Sequence, residues 1–89
     1  MSVVSKSVIV KNKQGLHARP AALFVQVANK FDARVTVTYN DEKVNGKSIM
    51  GILMLGAEQG TEISIEADGK DAETALVELE KIISCEDEL

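Results

Sequence analysis

Eighty-nine residues, 45% hydrophobic and 27% charged, suffice for one domain spanning residues 1–89 around a modest core, but not for the deep cleft of a large enzyme. Aromatic residues make up only 3%, which disfavours a base-stacking nucleic-acid binder. The net charge of −4 is uneven: residues 1–57 carry eight Lys/Arg against three Asp/Glu, and residues 58–89 carry two against eleven, so the first part could face an acidic protein or a phosphate.

The opening "MSVVSKSVIVK" has neither a long apolar run nor a cleavage-like site, so neither a signal peptide nor membrane insertion is expected and the cytoplasm is the default compartment. "SKSVIVKN" at 5–12 reads as a first strand, with Val8 and Val10 on one face. It leads through Gly15 into a helix from His17 to about Phe31, whose apolar residues Leu23, Phe24, Val27, Ala28 and Phe31 recur at helical spacing. "ARVTVTYN" at 33–40 alternates strictly, with Val35, Val37 and Tyr39 on one face. Asn40 and Asp41 turn the chain into a short strand at 43–45, and "SIMGILML" at 48–55 makes a short helix ended by Gly56. "TEISIEA" at 61–67 alternates through Ile63, Ile65 and Ala67. The last helix, at 71–84, sets Ala75, Leu76, Leu79, Ile82 and Ile83 on one stripe, with Asp71 as its N-cap, and a charged tail "EDEL" frays beyond it. The resulting order, βαββαβα, with a polar face on each strand and an apolar stripe on each helix, predicts an α+β sheet covered by helices on one side. The strand order does not follow from the pattern.

Two helix starts carry the chemistry. In "GLHARPA" at 15–21, His17 and Arg19 occupy a first turn where acidic or hydroxyl side chains are favoured. A neutral imidazole is a nucleophile near pH 7. Were His17 to carry a phosphoryl group, the helix N-terminus would favour the anion and Arg19 could neutralise its oxygens. Pro20 would stiffen the turn and Gly15 would permit the tight approach. The plain alternative is a His that merely caps or decorates the helix. No Ser or Cys forms a triad with it and no glycine-rich nucleotide loop exists, so a self-sufficient catalyst is not expected. Cys85 cannot form an internal disulfide, and one Cys with one distant His suggests no metal site. No cofactor is expected.

The second start is Ser48. Residues 49–55, "IMGILML", are apolar except for Gly51; Ile52 and Leu55 fall on one side of a helix and Ile49, Met50 and Leu53 on the other, which predicts one core-facing side and one exposed docking patch. A wholly buried helix is the alternative. Ser48 suits an N-cap, and a phosphate there would also be electrostatically tolerated, with Lys47 near enough in sequence to soften its charge.

"GLHARPA" at 15–21 resembles the active-site signature, and "NGKSIMG" at 45–51 the regulatory-serine segment, of HPr, the histidine-containing phosphocarrier family of the bacterial phosphoenolpyruvate:sugar phosphotransferase system. The resemblance extends over essentially the whole chain. It implies an open-faced β-sandwich, a four-stranded antiparallel sheet with three helices on one face. It further implies that His17 accepts a phosphoryl group on Nδ1 from phosphorylated enzyme I and passes it to IIA domains of sugar permeases, with Arg19 and Ala18 stabilising the phosphate. Ser48 would be the target of an HPr kinase/phosphorylase, and Ile49, Met50, Leu53, Lys47 and Pro20 would belong to the partner-docking surface of a monomer. The alternative is a regulatory module of a nitrogen-linked or catabolite-repression pathway that binds partners, a transcription regulator among them, through Ile49, Met50 and Leu53.

Overall fold

A computed structural model describes residues 3–86. Its elements are β1 (Val3–Ile9), α1 (Ala18–Ala28), β2 (Arg34–Tyr39), β3 (Glu42–Asn45), α2 (Ile49–Met54), β4 (Glu62–Asp68) and α3 (Ala72–Ile83). The strands form one antiparallel sheet in the order β1-β4-β2-β3. β1 and β2 therefore run parallel to each other, with the late strand β4 inserted between them. This is the expected α+β architecture with all four strands and three helices in place.

The period-2 pattern decides which face of the sheet is covered. Val35 and Val37 of β2, Ile63, Ile65 and Ala67 of β4, and Val8 of β1 are buried. The alternate residues Arg34, Thr36 and Thr38, with Glu62, Ser64 and Glu66, occupy the opposite face. The helices close the apolar face with Phe24 and Ala28 from α1, Ile52 from α2, and Leu76, Leu79 and Ile83 from α3. Burying Phe24 alone contributes about 2–3 kcal/mol. Asn40 (φ 51°) and Asp41 (φ 66°) are both left-handed, as a two-residue hairpin loop between β2 and β3 demands.

The ends of β1 and α1 and the side-chain contacts of Asp71 differ from the sequence expectation. β1 ends at Ile9 instead of continuing to 12: Val10 still bonds to the chain before β4, its N–H donating to Thr61 and its carbonyl accepting from Gly60, but the Lys11 N–H turns away to donate to the Ile83 carbonyl at the end of α3, 3.0 Å away. α1 stops at Ala28 rather than Phe31. The Asn29 N–H and its side-chain Nδ2 both donate to the Val25 carbonyl, while Lys30 and Phe31 close i→i+3 bonds onto Val27 and Ala28, so the last turn tightens and ends. Asp71 does stand at the N-cap of α3, but its side chain makes no cap bond. Its carboxylate instead accepts the backbone N–H groups of Asp32 and Ala33, both at 2.9 Å, and so ties the α1–β2 connection to the start of α3. The tail expected to fray falls mostly outside the described residues, which include only Glu86 of it.

Candidate functional site

The chain enters α1 through two nested turns. The Gly15 N–H donates to the Asn12 carbonyl at 3.0 Å, and the His17 N–H donates to the Gly15 carbonyl at 2.9 Å. Gly15 has φ +71°, and a Cβ on it would stand 2.5 Å from the Ala57 carbonyl oxygen, so both its backbone conformation and its surroundings require glycine. The next residue locks the approach. The Leu16 N–H donates to that same Ala57 oxygen at 2.9 Å, and the Leu16 side chain is buried in the core.

His17 is then placed at the N-cap of α1. Its carbonyl accepts the first helical bond from Ala21 at 3.0 Å, while its imidazole makes no capping bond and is half-exposed. The backbone of His17 is thus fixed at the helix start while its imidazole takes no part in the cap. Ala18 and Arg19 follow as exposed residues of the first turn. A helix start leaves N–H groups without intrahelical acceptors, and the dipole there favours an anion; no acidic residue competes for that place. Pro20, which brings no N–H to this turn, is fully buried. It stiffens α1 from inside and offers little surface to a partner, unlike the docking role the resemblance implies for it.

Ser48 is the N-cap of α2, as its sequence position predicts, and its Oγ accepts the Gly51 N–H at 3.2 Å. Gly51 lets α2 lie close to β3: a Cβ there would meet Val44 Cβ at 3.2 Å and the Asn45 carbonyl at 3.3 Å. α2 is two-sided. Ile52 and Leu55 enter the core, whereas Ile49 and Met50 are 39% and 62% exposed. Leu53, expected on the outer side, is half-buried and packs against the core. Met54, which the sequence reading left aside, is 74% exposed and stands one turn beyond Met50. The i, i+4 spacing of the two methionines was the signal for that pair. Lys47, expected to stand by for a phosphate on Ser48, donates its ammonium to the Phe31 carbonyl at 2.7 Å. It also helps to hold the Asp71 carboxyl below its usual range, though the hydrogen bond from Asp32 is the larger cause.

Sequence reasoning also passed over Asn12, a nearly fully buried polar residue whose Nδ2 donates to the carbonyls of Ile82 and Cys85, both at 3.0 Å. Its only signal was an amide side chain where a strand ends in a glycine turn. Among the described residues no group of three His, Cys, Asp or Glu is close enough to hold a metal ion, and no helix is long and apolar enough to cross a membrane. Shallow depressions at Arg34–Thr36 with Lys43–Asn45, and at Asp32, Arg34, Asp68 and Gly69, include neither His17 nor Ser48. At His17 the start of α1, with no acidic residue in its first turn, favours a small anion.

Residues 4–84 match the family described as the PTS HPr component phosphorylation site. The phosphocarrier protein HPr of Neisseria meningitidis serogroup A is 46% identical over 82 residues, 92% of each chain. The crystal structure of the phosphocarrier protein HPr from Bacillus anthracis superposes with a TM-score of 0.89 at 47% identity, covering 93% of this chain and 99% of the other. Crh, the catabolite repression HPr of Bacillus subtilis, described as a swapped dimer, superposes with a TM-score of 0.76 at 46% identity over 93% and 95% of the two chains.

Proposed function

Because this chain belongs to the HPr family of phosphocarrier proteins, whose members take part in phosphotransferase-system phosphoryl transfer, we propose that His17 is its phosphoryl acceptor. The observation that carries the reading is the half-exposed imidazole at the N-cap of α1, free of any capping bond, where the helix start favours an anion. Phosphorylated enzyme I donates the group to His17 Nδ1 and IIA domains of sugar permeases receive it. Each transfer breaks one P–N bond and forms another in line, so it needs alignment and charge neutralisation more than covalent machinery. Ala18 supplies a first-turn position and Arg19 a guanidinium for the phosphate oxygens. The carrier works in the cytoplasm as a monomer, and the larger partners complete the site around it.

Incubation with phosphoenolpyruvate, Mg²⁺ and enzyme I should give one acid-labile phosphate per chain. His17→Ala should abolish it; equal labelling of that variant sinks the assignment.

In the same reading Ser48 is a regulatory phosphorylation site for an HPr kinase/phosphorylase. ATP with that kinase should produce an acid-stable phosphate, lost in Ser48→Ala, that slows later labelling of His17. An unchanged rate would leave Ser48 as a cap. The exposure of Ile49, Met50 and Met54 favours a second reading, in which this side of α2, bordered by Leu53 and Lys47, docks a regulator without phosphoryl transfer. Binding would then persist in His17→Ala and fail in Met50→Asp.

A further inference from the structure

We propose that Asn12 is a positioning residue for His17, acting by tying the turn that presents the imidazole to the C-terminal end of α3. The inference rests on the reading of His17 as the phosphoryl acceptor. Asn12 is 3% exposed, and its single Nδ2 group donates to two carbonyls, that of Ile82 in the last turn of α3 and that of Cys85 two residues beyond the helix. The neighbouring Lys11 N–H adds a third bond to that end, at the Ile83 carbonyl. The Ile82 and Ile83 carbonyls are among the acceptors a helix end leaves without intrahelical donors, and Cys85 lies just past the C-cap Ser84, so the turn before His17 caps the C-terminal end of α3 and holds the chain that leaves it.

The connection to His17 is short and closed. The Asn12 carbonyl accepts from Gly15, the Gly15 carbonyl accepts from His17, and the Leu16 N–H between them is held by Ala57. A shift at Asn12 is therefore passed through two consecutive hydrogen bonds to the N-cap of α1. The side chain is not there to fill space: its Oδ1 is buried without a hydrogen-bond partner among the described residues, a cost that an apolar residue of similar size would not carry. What distinguishes Asn at this position is the pair of donated bonds. In-line transfer is sensitive to displacements of about an ångström, so slackening this tie should slow transfer while leaving the docking surface of α2 unchanged.

The test measures initial rates of phosphoryl transfer from phosphorylated enzyme I, with this protein as the varied substrate, at about 15 °C, where every variant compared is folded by circular dichroism. Asn12→Ala should lower kcat about tenfold with KM within about twofold of wild type. Asn12→Ser, which keeps one donor, should recover part of the loss. Ile65→Val, a mid-sheet core change, supplies a destabilised control and should transfer at the wild-type rate. Wild-type kcat in both Asn12 variants overturns the proposal, as does a fall shared by Ile65→Val or a change confined to KM. If Asn12→Ala does not fold, Asn12→Ser decides on the same criteria. Absence of label on wild type would remove the reading of His17 and this inference with it; labelled wild type with unaffected Asn12 variants removes this inference alone.

Discussion

Replacing Gly15 by Ala perturbs the turn before His17 in two separable ways. A non-glycine residue in the left-handed region, here φ +71°, costs about 1–2 kcal/mol. Against that, Ala narrows the unfolded ensemble and returns about 0.4–1 kcal/mol. Backbone strain alone therefore leaves a net loss below about 2 kcal/mol. The new Cβ would also stand 2.5 Å from the Ala57 oxygen and 3.0 Å from Glu58 Cα, roughly an ångström inside ordinary contact. Backbone must give way, and the bond from Leu16 N–H to that oxygen, 2.9 Å long, is the contact at stake, adding about 1 kcal/mol. The expected total is about 2 kcal/mol, or a fall in Tm of roughly 8–16 °C for a chain of this size. Gly56→Ala provides the reference, since φ there is +61° and nothing lies within 4 Å of an added Cβ, so only the strain component remains. Thermal and urea unfolding of the two variants measure the difference. If Gly15→Ala loses no more stability than Gly56→Ala, the close approach to Ala57 does not constrain the turn and the reasoning is refuted.

Three further outcomes are expected. Ser48→Ala removes the acceptor for the Gly51 N–H and should cost about 1 kcal/mol in urea unfolding, whereas Ser48→Asp, which keeps an acceptor, should cost less; equal losses would contradict the capping role. Phe24→Ala should cost about 3–5 kcal/mol, a large share of the total stability of a small domain, and a loss under about 1 kcal/mol would mean that Phe24 is not central to the core. The Asp71 carboxyl, held below its ordinary value chiefly by the Asp32 N–H, contributes stability that is fully present above the unfolded-state pKa of about 3.9 and is lost as pH falls through its lower folded value. The gap in urea midpoint between wild type and Asp71→Asn should accordingly be widest near neutrality and close on acidification below about pH 4, and a gap independent of pH would contradict this.

The elements and their buried faces were legible because the signals are local. Strict alternation through Val35 and Val37, and through Ile63, Ile65 and Ala67, allowed one face of each strand to be buried, and the sheet buried that face. The same holds for Ser48, whose cap needs only the N–H three residues on. At the α1 start the sequence showed an anion-favouring turn without acids, and the structure adds an imidazole with no capping bond. The two-sidedness of α2 was readable too, but the helical wheel could not say how deep each residue would sit. Leu53 finds core neighbours while Met54 does not, and that depends on where β3 and the rest of the core lie.

What the sequence by itself determined, then, were the order of elements, the apolar stripe of each and the two helix starts at His17 and Ser48. These follow from periods of two and 3.6 residues and from side chains acting on their immediate backbone. Only the tertiary structure decided the strand order, the packing that buries Pro20, and the destinations of Asn12, Lys47 and Asp71. Asn12 bonds to carbonyls 70 and 73 residues away, and Asp71 caps N–H groups 38 and 39 residues before it. A hydrogen bond carries no trace in local spacing when its acceptor lies on another element, because only the meeting of loop and helix end brings donor and acceptor within 3 Å. The tie that holds the turn before His17 is of that kind.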